Sequence, residues 1–192
     1  IQGNKFDGNN FINDAIKKGA HVIVSNKFKT GIYKGTYYIN VIDPRLALSN
    51  FANKYYNNKP NNIIAVTGTN GKSSIVNFYY QILKLNKKKV ASIGTLGVKS
   101  NGVSSELNNT TVDAITINKI LSNLKSKKIE NVILEASSHG LQQKRLHGIK
   151  FSTSIFTNLS RDHLDYHKNY KNYFNSKLIL FIFILKTILR EV

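Results

Sequence analysis

The sequence predicts an α/β fold in which a parallel sheet carries helices on both faces and follows part of a small α/β domain. Two observations support this prediction. From residue 63 onward, β-rich runs alternate with helical patterns, as is typical of right-handed crossovers between parallel strands. Between the first strand and the first helix lies the stretch VTGTNGKSS, residues 66–74, whose Gly-Lys-Ser end is typical of a P-loop-type connection.

The first 58 residues are predicted to form a separate, smaller α/β domain. A helical spacing of apolar residues begins near Phe11 and stops at Gly19, and two short β-rich runs follow at 21–25 and 37–41. A second helix is expected after Asp43, a good N-cap that precedes a proline. The polar stretch NNKPNN then indicates a linker, so we place the domains at 1–58 and 59–192.

The second domain is predicted to contain four strands in alternation with helices. The strands are expected at 63–67, 89–93, 130–136 and 153–157, and the helices at 72–85, 113–125, 138–146 and from about 168 onward. Ligands of such sheets bind beyond the carboxyl ends of the strands. Polar and ionisable residues are concentrated at those ends, which predicts one active site there.

Composition excludes some classes of function. The net charge of +18 comes mainly from lysines dispersed among asparagines, which favours solvated helix ends over a nucleic-acid-binding face; a basic nucleic-acid-binding module remains the non-enzyme alternative. Without cysteine there is no disulfide, thiol nucleophile or zinc-thiolate cluster. The apolar run 178–185 is shorter than the ~20 residues of a membrane span, so we expect a cytoplasmic protein with no membrane partner.

The glycine loop predicts phosphate binding, although Val66 stands where the common loop has its first glycine. Glycines allow the backbone N–H groups and the following helix N-terminus to face phosphate oxygens. Lys72 would meet the β- and γ-phosphates, and the Ser73 hydroxyl would coordinate Mg²⁺. An ordinary Gly-Asn turn with a solvated lysine is the simpler alternative.

Three further residues have two interpretations each. Glu135 ends an apolar strand, where a buried carboxylate without a cation would be costly, so a Mg²⁺ ligand is favoured over a helix cap. His163 alone is better explained as a loop histidine bonded to a neighbouring aspartate. Lys177 shares a predicted apolar stripe, where it should either extend to solvent or react with CO₂ to give a carbamate. The stripe consists of Tyr170, Tyr173, Phe174, Phe181 and Ile184.

Five ordered segments resemble the central domain of the Mur ligases. They are VTGTNGKSS, NNTTVD, EASSHGLQQKRL, FTNLSRDHLDYH and the lysine of YFNSKLILF, and the shortened loop is that family's own variant. The resemblance implies ATP-dependent amide-bond formation. Within the family, the pattern is most similar to the ligase that adds the third amino acid, meso-diaminopimelate or L-lysine, to UDP-N-acetylmuramoyl-L-alanyl-D-glutamate in peptidoglycan biosynthesis.

The resemblance also implies roles for individual residues. Catalysis would involve Lys72 and carbamylated Lys177. Two Mg²⁺ ions would be held by Ser73, Glu135, His163 and Lys177. The ATP-binding residues would be Gly68, Thr69, Asn70, Gly71, Lys72, Ser73 and Ser74, and the contacts to the UDP-linked muramoyl dipeptide would be Asn109, Thr110, Thr111, Ser137, Gln143 and Arg145.

Departures from the family pattern shape the remaining expectations. Ser73-Ser74 replaces a usual Thr-Thr, which keeps the hydroxyl. The chain starts after the segments expected to bind uridine and stops before the domain that binds the diamino acid. We therefore expect an incomplete, inactive, monomeric fragment. The enzyme alternative is another Mur ligase or a folylpolyglutamate-type ligase.

Overall fold

A computed structural model describes residues 1–3, 6–100 and 103–188, with the side chains of residue 103 and of residues 184–188 left out. The protein divides into two compact units, Ile1–Leu48 and Ser49–Val192. This division lies earlier in the chain than the predicted domain boundary at 58/59. That boundary stays a prediction. The side chain of Ile184, which belongs to the predicted stripe, is not among those described. The residues after 188 lie outside the described part of the chain.

The first unit contains a small mixed sheet and two short helices. Strand β3 pairs in parallel with β1 and antiparallel with β2. Strand β2 was not predicted, because three residues are too few to establish an alternating pattern. In chain order the elements are a 3-10 turn at Gly8–Phe11, α1 at Ile12–Lys17, β1 at Val22–Ser25, β2 at Gly31–Tyr33 and β3 at Thr36–Asn40.

Helix α2, Pro44–Tyr55, crosses the division between the units. Its start agrees with the predicted cap, since the Leu46 N–H donates to Asp43 Oδ1 at 2.9 Å. The elements of the second unit follow. They are β4 at Asn62–Thr67, α3 at Lys72–Leu85, β5 at Val90–Gly94, β6 at Gly97–Ser100, β7 at Val103–Ser105, α4 at Ala114–Ser126, β8 at Asn131–Glu135, α5 at Ser138–Gln142, β9 at Thr153–Phe156, α6 at Leu164–His167 and α7 at Tyr170–Ile188.

The large sheet has the strand order β7-β6-β5-β8-β4-β9. Strands β5, β8, β4 and β9 are parallel, as predicted, and are the four strands expected from the sequence. Strands β6 and β7 form an unpredicted antiparallel edge. The sheet brings the carboxyl ends of its four parallel strands to one side.

Apolar residues cover both faces of this sheet. One core includes Ile63, Leu121, Leu134 and Leu180, and a second, smaller core joins Val66 and Ile133 to Val76 of α3. Strands buried on both faces are typical of parallel sheets covered by helices. The observed architecture therefore confirms the predicted fold class.

One helix ends earlier than predicted, and one short helix was not predicted. The helix expected at 138–146 ends at Gln142, and Lys144 just beyond has a left-handed backbone with φ 58°. The last helix is preceded by α6 and separated from it near Lys168, where φ is 69°. Left-handed residues interrupt a right-handed helix, and the apolar spacing does not reveal them. Within the described ranges, no helix is long and apolar enough to cross a membrane.

Candidate active site

The carboxyl ends of the parallel strands surround an open cavity of about 380 Å³. Its walls come from the glycine loop after β4, the turn after β5, the segment before α4, the end of β8 and the segment after β9. The lining residues are Thr69, Asn70, Gly71, Lys72, Ser73, Ser74, Thr95, Thr110, Glu135, Ser137 and His163. The structure thus brings most of the predicted site residues to one place.

The glycine loop is held against the end of β9. Gly68 has φ 140°, and a Cβ atom there would overlap Thr157 Oγ1. The Thr69 N–H donates to the Asn158 carbonyl at 3.0 Å, and the Asn70 N–H donates to Asn158 Oδ1 at 3.0 Å. Only glycine fits position 68, both for its backbone angle and for lack of space.

Lys72 is folded back onto this loop. Its Nζ donates to the Gly68 carbonyl at 2.9 Å and to the Thr69 carbonyl at 2.7 Å. Burial lowers the pKa of Lys72, whereas the charges of Glu135 and Asp162 act in the opposite direction. Helix α3 begins here without a side-chain cap on its N-terminus, since its N-cap is Gly71. The loop therefore presents a cation and an uncapped helix N-terminus to the cavity.

Glu135 is 2% exposed and accepts hydrogen bonds from neutral groups. The Ser73 hydroxyl lies 3.0 Å from each carboxylate oxygen, and the Thr95 N–H donates to Oε1 at 2.9 Å. Gly94 packs against the Glu135 carboxylate so closely that a Cβ atom at position 94 would overlap Oε1. In the part of the chain that the structure describes, no basic side chain forms an ion pair with Glu135. A buried carboxylate of this kind fits a cation ligand.

Lys177 is 1% exposed and lies beside the same loop. Its Nζ donates to the Gly68 carbonyl at 2.7 Å and lies 4.4 Å from the centre of the Tyr173 ring. Burial, and secondarily the charge of Lys72, lowers the pKa of Lys177 to about 7, while Asp162 opposes the shift. A substantial fraction of this amine is therefore neutral at physiological pH.

The predicted stripe on α7 is partly wrong. Tyr173 and Lys177 do share a buried face, and Lys177 does not extend to solvent, but Tyr170 is 44% and Phe174 37% exposed. The buried face instead consists of Tyr173, Ser176, Lys177 and Leu180, at a helical spacing of three and four residues. Because this buried face includes the small, polar Ser176, the spacing of apolar residues alone predicted the wrong face of the helix.

His163 lines the cavity, with its side chain 49% exposed and its Nε2 atom 3.4 Å from Asp162 Oδ2. Its ring also lies 4.9 Å from the ring of His139. Within the described ranges, no group of three or more His, Cys, Asp or Glu side chains is arranged to hold a metal ion. A cation held by Ser73 and Glu135 would therefore need further oxygen ligands from a bound molecule or a modified side chain.

Four of the six residues predicted to contact the larger substrate line one of two cavities, and Thr111 and Gln143 are bonded to residues next to them. Thr110 and Ser137 line the main cavity, and the buried Thr111 hydroxyl donates to the Glu135 carbonyl at 2.9 Å. Asn109 and Arg145 line an adjacent cavity of about 240 Å³. Gln143 lies between Arg145, which donates to its Oε1 at 2.7 Å, and the Tyr166 hydroxyl.

Sequence reasoning missed three residues that shape the site. Thr95 bonds Glu135, Thr157 packs against Gly68, and the Tyr173 hydroxyl lies 3.0 Å from Thr69 Oγ1. Thr95 and Thr157 each directly follow an observed strand, β5 and β9, and in the prediction they lay just past or at the end of a strand. That position at the carboxyl end of a parallel strand was the signal that could have found them.

A parallel α/β sheet whose first strand leads through this loop into a helix defines a P-loop-type protein. The family profile of the Mur ligase middle domain matches residues 66–188. The chain belongs to the Mur ligase family.

Individual relatives agree with this assignment. The UDP-N-acetylmuramoyl-L-alanyl-D-glutamate–2,6-diaminopimelate ligase of Rickettsia montanensis is 45% identical over 186 residues, covering 95% of this chain and 38% of that protein. A solved structure of a ligase with the same name has a TM-score of 0.76 at 31% identity, covering 91% of this chain and 35% of that one. MurF ligase from Thermotoga maritima in complex with ADP has a TM-score of 0.55 at 20% identity, covering 93% of this chain and 38% of that one. This comparison shows that the two chains share a fold. The chain therefore spans well under half of these relatives.

Proposed function

We propose that this chain is part of an ATP-dependent ligase that joins a diamino acid to UDP-N-acetylmuramoyl-L-alanyl-D-glutamate. The single observation that carries the proposal is the cavity in which the glycine loop, Lys72 and the buried Glu135 meet. The relatives named as 2,6-diaminopimelate ligases favour diaminopimelate over L-lysine as the amino acid. The domains at 1–58 and 59–192, a monomeric state and a cytoplasmic location are parts of the same proposal.

The glycine loop is suited to the phosphates of ATP. The uncapped N-terminus of α3 leaves backbone N–H donors for phosphate oxygens. Lys72 needs only to exchange its bonds to the Gly68 and Thr69 carbonyls for phosphate oxygens. The residues predicted to bind ATP, Gly68 to Ser74, form this loop.

Mg²⁺ fits the donor set at Ser73 and Glu135. Both are oxygen ligands, which Mg²⁺ prefers, and the Glu135 carboxylate lacks a cationic partner within the described part of the chain. When bound, Mg²⁺ would neutralise the charge that develops on the phosphates. A second ion would be held by His163 and by the carbamate of Lys177.

The proposed reaction consists of two displacements. A carboxylate oxygen of the substrate's D-glutamate bonds to the γ-phosphorus, and the bond to ADP breaks. The amine of the diamino acid then attacks the acyl phosphate carbon, phosphate leaves, and the amine loses a proton to solvent. Because phosphoryl transfer depends mainly on positioning and charge neutralisation, the role of this chain is to orient the phosphates with the loop and Lys72.

Carbamylation of Lys177 is expected to depend on pH. The neutral amine attacks the carbon of CO₂, an N–C bond forms and one proton is released, so formation requires the deprotonated side chain. With a pKa of about 7, the amine should react increasingly as pH rises through neutrality at constant dissolved CO₂. Carbon-13 NMR with labelled bicarbonate should show a carbamate signal that Lys177→Met removes and that Lys119→Met, at an exposed lysine, retains. An unchanged signal in Lys177→Met would contradict the assignment.

The ligase proposal is tested by two measurements on the chain. Calorimetry should show binding of ADP with Mg²⁺ by this chain. Phosphate release from ATP that UDP-N-acetylmuramoyl-L-alanyl-D-glutamate stimulates would show, in addition, that the chain carries out the first displacement. Stimulation by folates would favour the folylpolyglutamate-type alternative. Nucleotide binding without stimulated release would support the ATP site and contradict ligation by this chain alone. Absence of nucleotide binding would overturn the proposal.

A further inference from the structure

We infer that Thr95 is a positioning residue, which fixes the Glu135 carboxylate at the proposed cation site and connects it to Thr110. This inference rests on the proposed function, because it concerns how the cation ligand is held. Thr95 touches neither nucleotide nor reacting atoms in the proposal and acts through Glu135.

The β5–β6 hairpin determines where Thr95 lies. Gly94 and Gly97 are paired across the two antiparallel strands, so Thr95 and Leu96 form the two-residue turn between them. Gly97 has φ 83°, and a Cβ atom there would overlap the Ser105 carbonyl oxygen. The turn is therefore held from behind by β7, and its first residue is delivered to the edge of the cavity.

Two groups of Thr95 contact the two oxygens of one carboxylate. The backbone N–H donates to Glu135 Oε1 at 2.9 Å, and the hydroxyl lies 3.3 Å from Oε2. Gly94 closes the other side, where a Cβ atom would lie 2.6 Å from Glu135 Cδ. Together these contacts hold the carboxylate plane in one orientation.

The direction of the hydroxyl bonds follows from the chemistry of the carboxylate. As a cation ligand, Glu135 is ionised and can only accept, so the Thr95 hydroxyl must donate its single proton to Oε2. Thr95 Oγ1 lies 3.0 Å from Thr110 Oγ1, and Thr110 must therefore be the donor in that pair. The result is a series of hydrogen bonds in which Thr110 donates to Thr95 and Thr95 donates to Glu135.

This series of hydrogen bonds has a consequence for ligand recognition at Thr110. Because its proton is committed to Thr95, the Thr110 hydroxyl can offer only oxygen lone pairs to a ligand in the cavity. The ligand group that contacts it must be a donor, such as a peptide N–H or a hydroxyl. Linked hydrogen bonds polarise one another, so a donor at Thr110 should also affect cation binding at Glu135.

The experiment measures metal affinity separately from nucleotide affinity. Calorimetry gives the Kd of Mn²⁺ for the ADP-saturated chain and the Kd of ADP in EDTA. We expect Thr95→Val to weaken Mn²⁺ binding by about threefold to tenfold, with ADP binding in EDTA unchanged. Thr95→Ser, which keeps the hydroxyl, should restore Mn²⁺ binding. Ser104→Ala, at an exposed hydroxyl on β7 of the same sheet edge, should change neither value.

A double-mutant cycle tests the connection to Thr110. Thr110→Val should weaken Mn²⁺ binding in the unsubstituted chain and have no further effect when combined with Thr95→Val. Equal Mn²⁺ affinity of Thr95→Val and the unsubstituted chain would overturn the inference while leaving the ATP site intact. Absence of ADP binding by the unsubstituted chain would instead overturn the proposed function.

A measurement without any variant covers the case in which Thr95→Val fails to fold. In the ADP-bound chain, addition of Mg²⁺ should shift the amide NMR signal of Thr95, because this N–H donates to Glu135 Oε1. The amide of Ser104 should remain in place. An unmoved Thr95 signal at saturating Mg²⁺ would contradict the positioning role.

Discussion

The Lys72→Ala variant is expected to bind ATP at least about 30-fold more weakly than the unsubstituted chain. Lys72 is the half-buried cation at the start of α3, and its Nζ contacts the two carbonyls of the glycine loop that would face the phosphates. Removing one partner of a desolvated charge pair costs about 2–5 kcal/mol. Titration calorimetry with ATP and Mg²⁺ measures the loss directly.

The matched control for this variant lies on the same helix. Lys84 is exposed in the last turn of α3, so Lys84→Ala should bind ATP like the unsubstituted chain. The same pair of variants separates the ligase from a nucleic-acid-binding module. Steeply salt-dependent RNA or DNA binding that Lys72→Ala leaves intact, with no ATP binding by either variant, would contradict the ligase interpretation.

Glu135→Gln should change metal binding and stability in opposite directions. The buried carboxylate is the charged ligand of the proposed Mg²⁺ site, and its loss should weaken Mn²⁺ binding by about 100-fold. In EDTA, however, the free energy of unfolding should rise by about 1 kcal/mol, because a buried anion without a paired cation is replaced by a neutral amide. Calorimetry with Mn²⁺ on the ADP-saturated chain measures the first effect, and urea unfolding in EDTA measures the second.

Glu130→Gln serves as the comparison. Glu130 is 44% exposed and pairs with Lys125 at 2.6 Å, so this change should alter stability by less than about 1 kcal/mol and leave Mn²⁺ binding intact. If Glu135→Gln instead lowers the stability of the metal-free chain and keeps its Mn²⁺ affinity, Glu135 is a structural carboxylate. The cation site would then have to be abandoned.

Much of the sheet could be predicted, because each parallel strand is a short apolar run that ends in polar residues. Strands β6 and β7 could not, since Gly97–Ser100 contains one strongly apolar residue and its pairing depends on a turn that packs against Ser105. The left-handed backbone at Lys144 and Lys168 was also hidden, because lysine does not mark this conformation.

Within the site, local motifs were easier to predict than contacts between distant segments. Lys72 and Ser73 lie in one continuous loop, and Glu135 follows a strand whose burial was evident. Thr95 reaches Glu135 across 40 positions of sequence, and only the folded hairpin brings them together. His163 lines the cavity but pairs with Asp162, so its proposed role as a metal ligand stays a prediction.

The close packing of Gly68 against Thr157 also bears on how fast a nucleotide can enter. Gly68 lies against Thr157, and the Thr69 and Asn70 N–H groups both bond to Asn158, so the first half of the loop is held against the segment after β9. A nucleotide therefore meets a loop backbone that is already held in place, and only the Lys72 side chain has to leave its carbonyl partners, so binding loses little free energy to ordering the protein. Its association rate should be limited by diffusional encounter and not by a slow rearrangement of the chain.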